Sequence, residues 1–302
     1  MKDHTGAPSR LKADLALIGV TMIWGATFIL VKEALNGVST ILFLTMRFGI
    51  AALVLWFLFR GRGAHYPRDR RRELWIGLIV GICLFSGYVL QTAGLRYTSA
   101  SKAGFITGFY IVLVPVLSAA IYRRVPHPSE TVGVLLATMG MGLMTLNTLR
   151  FEIGWGDLLV LGCSVAYAFH ILLLGHFSRR MSYETLAINQ IATGALVGGL
   201  TFWWIETPRL TWTPQVVAAL AVTSLFATAL AFSIQSWAQQ FTTPTRTALI
   251  FSLEPVFAWI TSFVIAGELL TVRGAFGAML ILGGILFVEL KPIRFGAHPP
   301  ST

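Results

Sequence analysis

Apolar runs of close to twenty residues, separated by short clusters of charge, Pro or Gly, follow one another along this whole chain. A hydrocarbon core about 30 Å thick takes roughly 20 residues of helix at 1.5 Å per residue. Read against that length, ten spans can be drawn, over 14–33, 38–59, 73–95, 99–122, 130–149, 156–177, 183–205, 214–239, 244–266 and 271–290. Composition bears on the same point, because 55% of the residues are hydrophobic and 12% charged. So few charges cannot cover a surface facing water. The expected fold class is an all-α membrane protein with ten transmembrane helices.

The formal charge of +10 could suggest a nucleic-acid partner, but the basic residues lie between apolar segments, with no basic helix or stacking platform. They read instead as topology. Cytoplasmic loops are enriched in Lys and Arg. Arg68-Asp69-Arg70-Arg71-Arg72, Arg60, Arg62, Arg123, Arg124, Arg179, Arg180, Lys2, Arg10, Lys12, Lys291 and Arg294 all fall on one face of the ten-span reading. Both termini are therefore expected in the cytoplasm, with the protein in the inner membrane. The first span carries Trp24 and Thr27 and ends in Val31-Lys32-Glu33 without a small-residue cleavage pattern, so it is expected to be retained. Cys83 and Cys163 sit inside apolar runs, where neither a disulfide framework nor metal-ligand spacing exists.

Sliding the chain over itself exposes a repeat. Gln91 matches Gln235, Lys102 matches Arg246, Gly133 matches Gly277 and Gly140 matches Gly284, each at an offset of 144. One residue shorter, Asp14 matches Asp157, Gly19 matches Gly162 and Trp24 meets Tyr167. The unit holds five helices, an odd number, so the second copy must cross the membrane in the opposite sense to the first. The expected organisation is two inverted five-helix repeats, 1–149 and 150–302.

Four stretches resemble the EamA-type family of the drug/metabolite transporter superfamily, and together they run over almost the whole chain. They are Ile23-Trp24-Gly25-Ala26-Thr27-Phe28, Met46-Arg47-Phe48, the run from Phe105 through Pro115, and Leu253-Glu254-Pro255-Val256-Phe257 followed by Gly267-Glu268. The resemblance implies two inverted five-helix repeats and the export or exchange of metabolites such as amino acids. One departure is visible: Arg123-Arg124 stands in the first repeat where the second carries Gly267-Glu268.

Ionisable groups in hydrocarbon are costly unless paired or wetted, so mid-span charges are candidates for function. Glu254 and Arg47 both fall near the centre of their runs. They could form a structural ion pair with each other, or Glu254 could bind an amino group or take up a coupling proton. Pro115 and Pro255 each remove a helical hydrogen bond and mark expected kinks. Aromatic residues gather at the same depth, among them Trp24, Tyr88, Phe105, Phe109, Tyr110, Tyr167 and Trp237, and Gln91 and Gln235 add amides. The expected substrate site consists of Trp24, Tyr88, Gln91, Phe105, Tyr110, Gln235, Trp237 and Glu254. Lys102 and Arg246 are expected to snorkel to headgroups, and His170 to be a hydrogen-bonded core residue.

Alternating access by a secondary transporter is the function this pattern favours, with a small-molecule substrate, the lipid bilayer as surroundings and no cofactor or metal. A monomer is compatible with it. A channel would show a ring of repeated carbonyls or charges, although a concentration-driven uniporter fits the same residues. A membrane-embedded enzyme would need paired acids, His-rich motifs or a metal set, and the sequence offers no such motif and no phosphate-binding loop. Gradients are thus the expected energy source.

Overall fold

The computed structural model describes residues 6–60, 69–98, 100–123, 127–146, 153–266 and 271–290. In chain order the helices are α1 (Gly6–Ala34), α2 (Thr40–Phe59), α3 (Arg70–Gly94), α4 (Ala100–Thr107), α5 (Tyr110–Tyr122), α6 (Pro128–Thr145), α7 (Trp155–Phe177), α8 (Tyr183–Ile205) and α9 (Pro214–Ser224). They continue with a π-helical turn, π1 (Leu225–Leu230), then α10 (Ala231–Ala238), α11 (Pro244–Phe251), α12 (Glu254–Ala266) and α13 (Val272–Leu290). Among the described residues there is no strand, only one antiparallel bridge, Val38 to Leu210. The Gly267-Glu268 turn, Lys2, Arg62, Arg68, Arg124, Lys291 and Arg294 lie outside the described residues.

Among the described residues, seven segments are long and apolar enough to cross a membrane: Arg10–Ala34, Thr40–Phe59, Arg70–Gly94, Lys102–Tyr122, Trp155–Phe177, Tyr183–Ile205 and Pro214–Ala238. The remaining apolar runs are represented by α6, by α11 with α12, and by α13, whose Val272–Val288 is a shorter apolar helix. Lipid offers no hydrogen bonds, so such segments satisfy their own backbone only as helices. Local signals set their ends. Thr213 and Thr243 each stand before a proline and accept a backbone N–H from Val216 and Arg246, starting α9 and α11. His127 and Glu130 form a capping box at α6.

Small residues decide which helices meet. The α6–α13 crossing is built on four glycines. A Cβ on Gly133 would stand 3.0 Å from the Gly284 carbonyl, and one on Gly284 would stand 2.7 Å from the Gly133 carbonyl. Gly140 and Gly277 press on each other's carbonyls in the same way. Bare backbone at these four positions lets the axes approach and exchange dispersion contacts, the main attraction between helices in lipid. Elsewhere α3 packs on α7 and α8, α2 on α8, and α1 on α12 and on the α9–π1–α10 rod. The interior divides mainly into a cluster around Leu17, Ile111, Met141, Leu172 and Ile281 and another around Phe43, Phe48, Leu84, Ile191 and Phe232. Trp24 and Tyr167 pack against both.

Candidate functional site

Between those clusters lies a partly open cavity enclosing about 830 Å³ of empty space, its mouth included. Its lining runs from Val31, Leu44 and Leu95, where α1 and α3 finish and α2 begins, to Gln235 and Phe251 on α10 and α11. Aromatic rings wall it. Trp24 meets Phe251 edge-on at 4.9 Å and Phe232 at 5.5 Å. Tyr88 meets Tyr167 at 5.7 Å, and Tyr110 meets Tyr167 at 6.5 Å. Such tilted and edge-on contacts lock the rings while leaving faces and edges to a ligand.

Arg47 is 4% exposed and held from several sides. Its Nε donates to the Thr228 hydroxyl at 2.6 Å, and its Nη2 donates to Tyr88 Oη and the Ala227 carbonyl, both at 3.2 Å. The guanidinium also lies 4.7 Å from the centre of the Tyr88 ring. None of these bonds uses Nη1, which has no hydrogen-bond partner among the described residues, and Arg47 lines the cavity. The π turn makes this arrangement possible. Its wider ladder carries Ala227 and Thr228, and the Ala227 carbonyl also accepts the Trp24 indole N–H at 2.9 Å. Inserted π turns are a recurrent feature of functional sites in helices.

Glu254 enters the same cavity at the first position of α12, directly after the Ser252-Leu253 break. Its carboxylate accepts no hydrogen bond and forms no ion pair among the described residues, so Arg47 and Glu254 share a space without neutralising each other. Pro255 follows at the second position of that helix, where a missing N–H costs nothing. In the fourth run α5 continues as helix through Pro115, and an interruption falls at Gly108-Phe109, between α4 and α5.

Of the residues expected at the site, Trp24, Tyr88, Gln91, Tyr110, Gln235 and Glu254 line this cavity, and so does Arg47. Phe105 and Trp237 do not. Each stands two residues from a lining residue, Thr107 and Gln235, and two residues turn a helix by about 200°. Phe105 accordingly lies against Gly142, and Trp237 against Phe241. Tyr167, Thr107, Phe232 and Phe251 join the lining, as does His170, which is 2.8 Å from Gln190 Oε1 and so hydrogen-bonded. The spacing of apolar residues gave no signal for Phe232 or Phe251.

Lys102 and Arg246 correct another expectation, for neither simply reaches out to headgroups. Lys102 Nζ is 2.5 Å from Asp157 Oδ2, and Arg246 Nη2 is 3.8 Å from Asp14 Oδ2. A cation in the first turn of a helix is poorly placed against the helix dipole, and a neighbouring carboxylate offsets that. The two ion pairs join equivalent residues: offsets of 144 and 143 carry the first pair onto the second.

Comparison with known proteins gives a consistent answer. The profile of the EamA-like transporter family matches residues 11–146 and again 154–290. An uncharacterized transporter of Archaeoglobus fulgidus is 37% identical over 96% of this chain and 91% of its own length. An uncharacterized transporter of Bacillus subtilis is 23% identical over 91% of this chain and 96% of its own. A protein of known crystal structure shares the fold, with a TM-score of 0.77 at 18% identity, over 93% of this chain and 97% of that one. With apolar helices of membrane-crossing length and a family profile that covers nearly every described residue, this chain belongs to the EamA-like transporter family.

Proposed function

We propose that the chain is a secondary transporter that exports or exchanges a small zwitterionic metabolite, an amino acid with an aromatic or neutral side chain, across the inner membrane by alternating access. One observation carries the reading. A guanidinium and a carboxylate face one aromatic-walled cavity without bonding each other. A substrate carboxylate fits Arg47 Nη1, its ammonium fits Glu254, and the rings accept an apolar body.

The architecture proposed with it is ten spans in two inverted units, 1–149 and 150–302, with both termini cytoplasmic. Three features support it. The Gly133–Gly284 and Gly140–Gly277 contacts exchange into each other when residues are replaced by their partners at offset 144, as contacts across a two-fold axis do. The two ion pairs exchange in the same way. The family profile matches each half separately. Two such units rocking about a midplane site is how inverted repeats expose a substrate to each side in turn.

The test is counterflow in proteoliposomes of the purified chain, preloaded with unlabelled phenylalanine, leucine or glutamine and given the labelled compound outside. Label is expected to accumulate transiently inside. Absence of flux for every zwitterion offered would remove the substrate class. Reactivity of a cysteine placed at Arg70 toward a membrane-impermeant reagent added from the periplasm would invert the orientation.

A further inference from the structure

The cavity contains two glutamines at equivalent positions in unequal surroundings. Gln91 donates from Nε2 to the Thr107 hydroxyl at 3.2 Å. Where the first unit has Thr107 the second has Phe251, 144 residues later, and its ring packs on Trp24 and offers no acceptor. Among the described residues Gln235 is left with neither Oε1 nor Nε2 hydrogen-bonded, although the residue is only 1% exposed. Buried amides are almost always satisfied, and one that is not, in the wall of a cavity, points to a ligand or an ordered water.

Position on the helix says which part of a ligand that would be. Thr228, Phe232 and Gln235 fall at i, i+4 and i+7, one face of the rod formed by π1 and α10. Thr228 receives Arg47 Nε, Phe232 is an apolar wall one turn on, and Gln235 is a turn beyond that, toward the end of the bundle that carries Arg246 and Asp14. The face therefore presents a charged anchor, an apolar stretch and an uncharged donor–acceptor pair, in that order.

We propose that Gln235 is a specificity-determining residue that reads the far end of the substrate, and that preferred substrates are zwitterions whose side chain ends in a carboxamide or a hydroxyl. The inference rests on the reading of the cavity as a zwitterion site. A carboxamide answers both amide atoms at once, and a hydroxyl accepts from Nε2 while donating to Oε1. A terminal carboxylate answers Nε2 but faces Oε1 with like charge. An ammonium does the reverse, and a methyl leaves both atoms unanswered.

The experiment measures initial uptake by proteoliposomes of the full chain for pairs that differ only at that end: tyrosine with phenylalanine, and glutamine with norvaline and glutamate. The wild type is expected to favour tyrosine and glutamine by about tenfold or more, the penalty for leaving a site's polar groups unpaired. Gln235→Leu is expected to bring the ratio close to one by losing the polar member while phenylalanine and norvaline persist. Gln91→Leu is expected to slow both members alike, as a wall defect does, with the ratio kept. If Gln235→Leu shows no cooperative melting in detergent, Gln235→Met and the wild-type ratio decide. Wild-type transport of both members at equal rates, or a ratio that survives loss of the amide, overturns this inference and leaves the carrier reading standing. No uptake of any member overturns both.

Discussion

The fourth and ninth apolar runs break at equivalent residues and resume with different chemistry. Gly108-Phe109 separates α4 from α5, and Ser252-Leu253, 144 residues later, separates α11 from α12. Glycine weakens the first helix through its conformational freedom. Ser252 works otherwise, turning its hydroxyl onto the Leu249 carbonyl at 2.6 Å, a local bond that competes with the helical ladder. Two unrelated devices thus produce one geometry, which marks the break as a requirement of the architecture. Past it the symmetry ends: the first unit places Tyr110, 5% exposed, where the second places Glu254. Two stretches that each match the family profile can break at corresponding residues and still give the cavity a carboxylate at only one of the two corresponding positions.

The largest expected effect tests that asymmetry. Glu254→Gln removes the charge that an ammonium would meet while keeping size, and uptake of a zwitterion should fall by about 100-fold, the scale of one charge-assisted bond in a water-poor site. Tyr110→Phe, at the equivalent position, should lower it by no more than a few-fold, since a neutral phenol can be replaced by ring and water. Initial rates in proteoliposomes measure both. Equal losses would show that the two positions do the same work.

Much of this is legible in the sequence. Charge in a long apolar run is conspicuous, so Arg47 and Glu254 stood out by depth alone, and the glutamines and glycines showed themselves through a constant offset. Azimuth was not legible. In lipid both the outer and the inner face of a helix are apolar, so nothing in the spacing separated Phe105 and Trp237, which face away, from Phe232 and Phe251, which line the cavity. Nor does Leu225-Phe226-Ala227-Thr228-Ala229-Leu230 contain a Pro or Gly to announce a π turn. The partners of Lys102 and Arg246 depended on which helix ends come together, a property of the assembled bundle.

A second contrast lies where α1 and α7 meet the helices that follow the breaks. A Cβ on Gly25 would stand 2.8 Å from the Glu254 carbonyl and from the Ala258 nitrogen, so α1 and α12 touch backbone to backbone. Its counterpart at offset 143 is Ala168, fully buried, which brings a methyl group to the corresponding place on α7. Gly25→Ala is expected to cost about 1–3 kcal/mol by overpacking and to depress uptake by displacing Glu254. Ala168→Gly should cost about 1 kcal/mol through helix propensity alone, with uptake retained. Thermal melting in detergent, read beside transport, separates the two, and a silent Gly25→Ala would mean that the crossing is looser than it stands here.

The ion pairs form the third contrast. Asp157 accepts from Lys102 at 2.5 Å, the Thr98 hydroxyl at 2.7 Å and the Gly154 N–H at 2.8 Å, whereas Asp14 stands 3.8 Å from Arg246. Asp157→Asn should therefore lower stability by about 1–2 kcal/mol and Asp14→Asn by under about 1 kcal/mol, the difference between a hydrogen-bonded carboxylate and a loose pair. Denaturation midpoints measure it. The reverse order would place the stronger tie at the Asp14 end of the bundle.

The smallest effect concerns the end of α5, where Arg123 adopts φ 52°, a left-handed conformation. The equivalent residue of the second unit is Gly267, the residue type that takes this conformation without strain. A side chain there costs about 1–2 kcal/mol, while glycine loses about 0.5–1 kcal/mol more in chain entropy on folding. The two terms nearly cancel, and strain is the larger. Arg123→Gly is expected to raise the melting temperature slightly, by about 0.5 kcal/mol in stability, with transport unchanged. A lowered melting temperature would mean that contacts made by the arginine side chain outweigh its backbone strain, and that the first unit keeps an arginine there for a reason the second does not share.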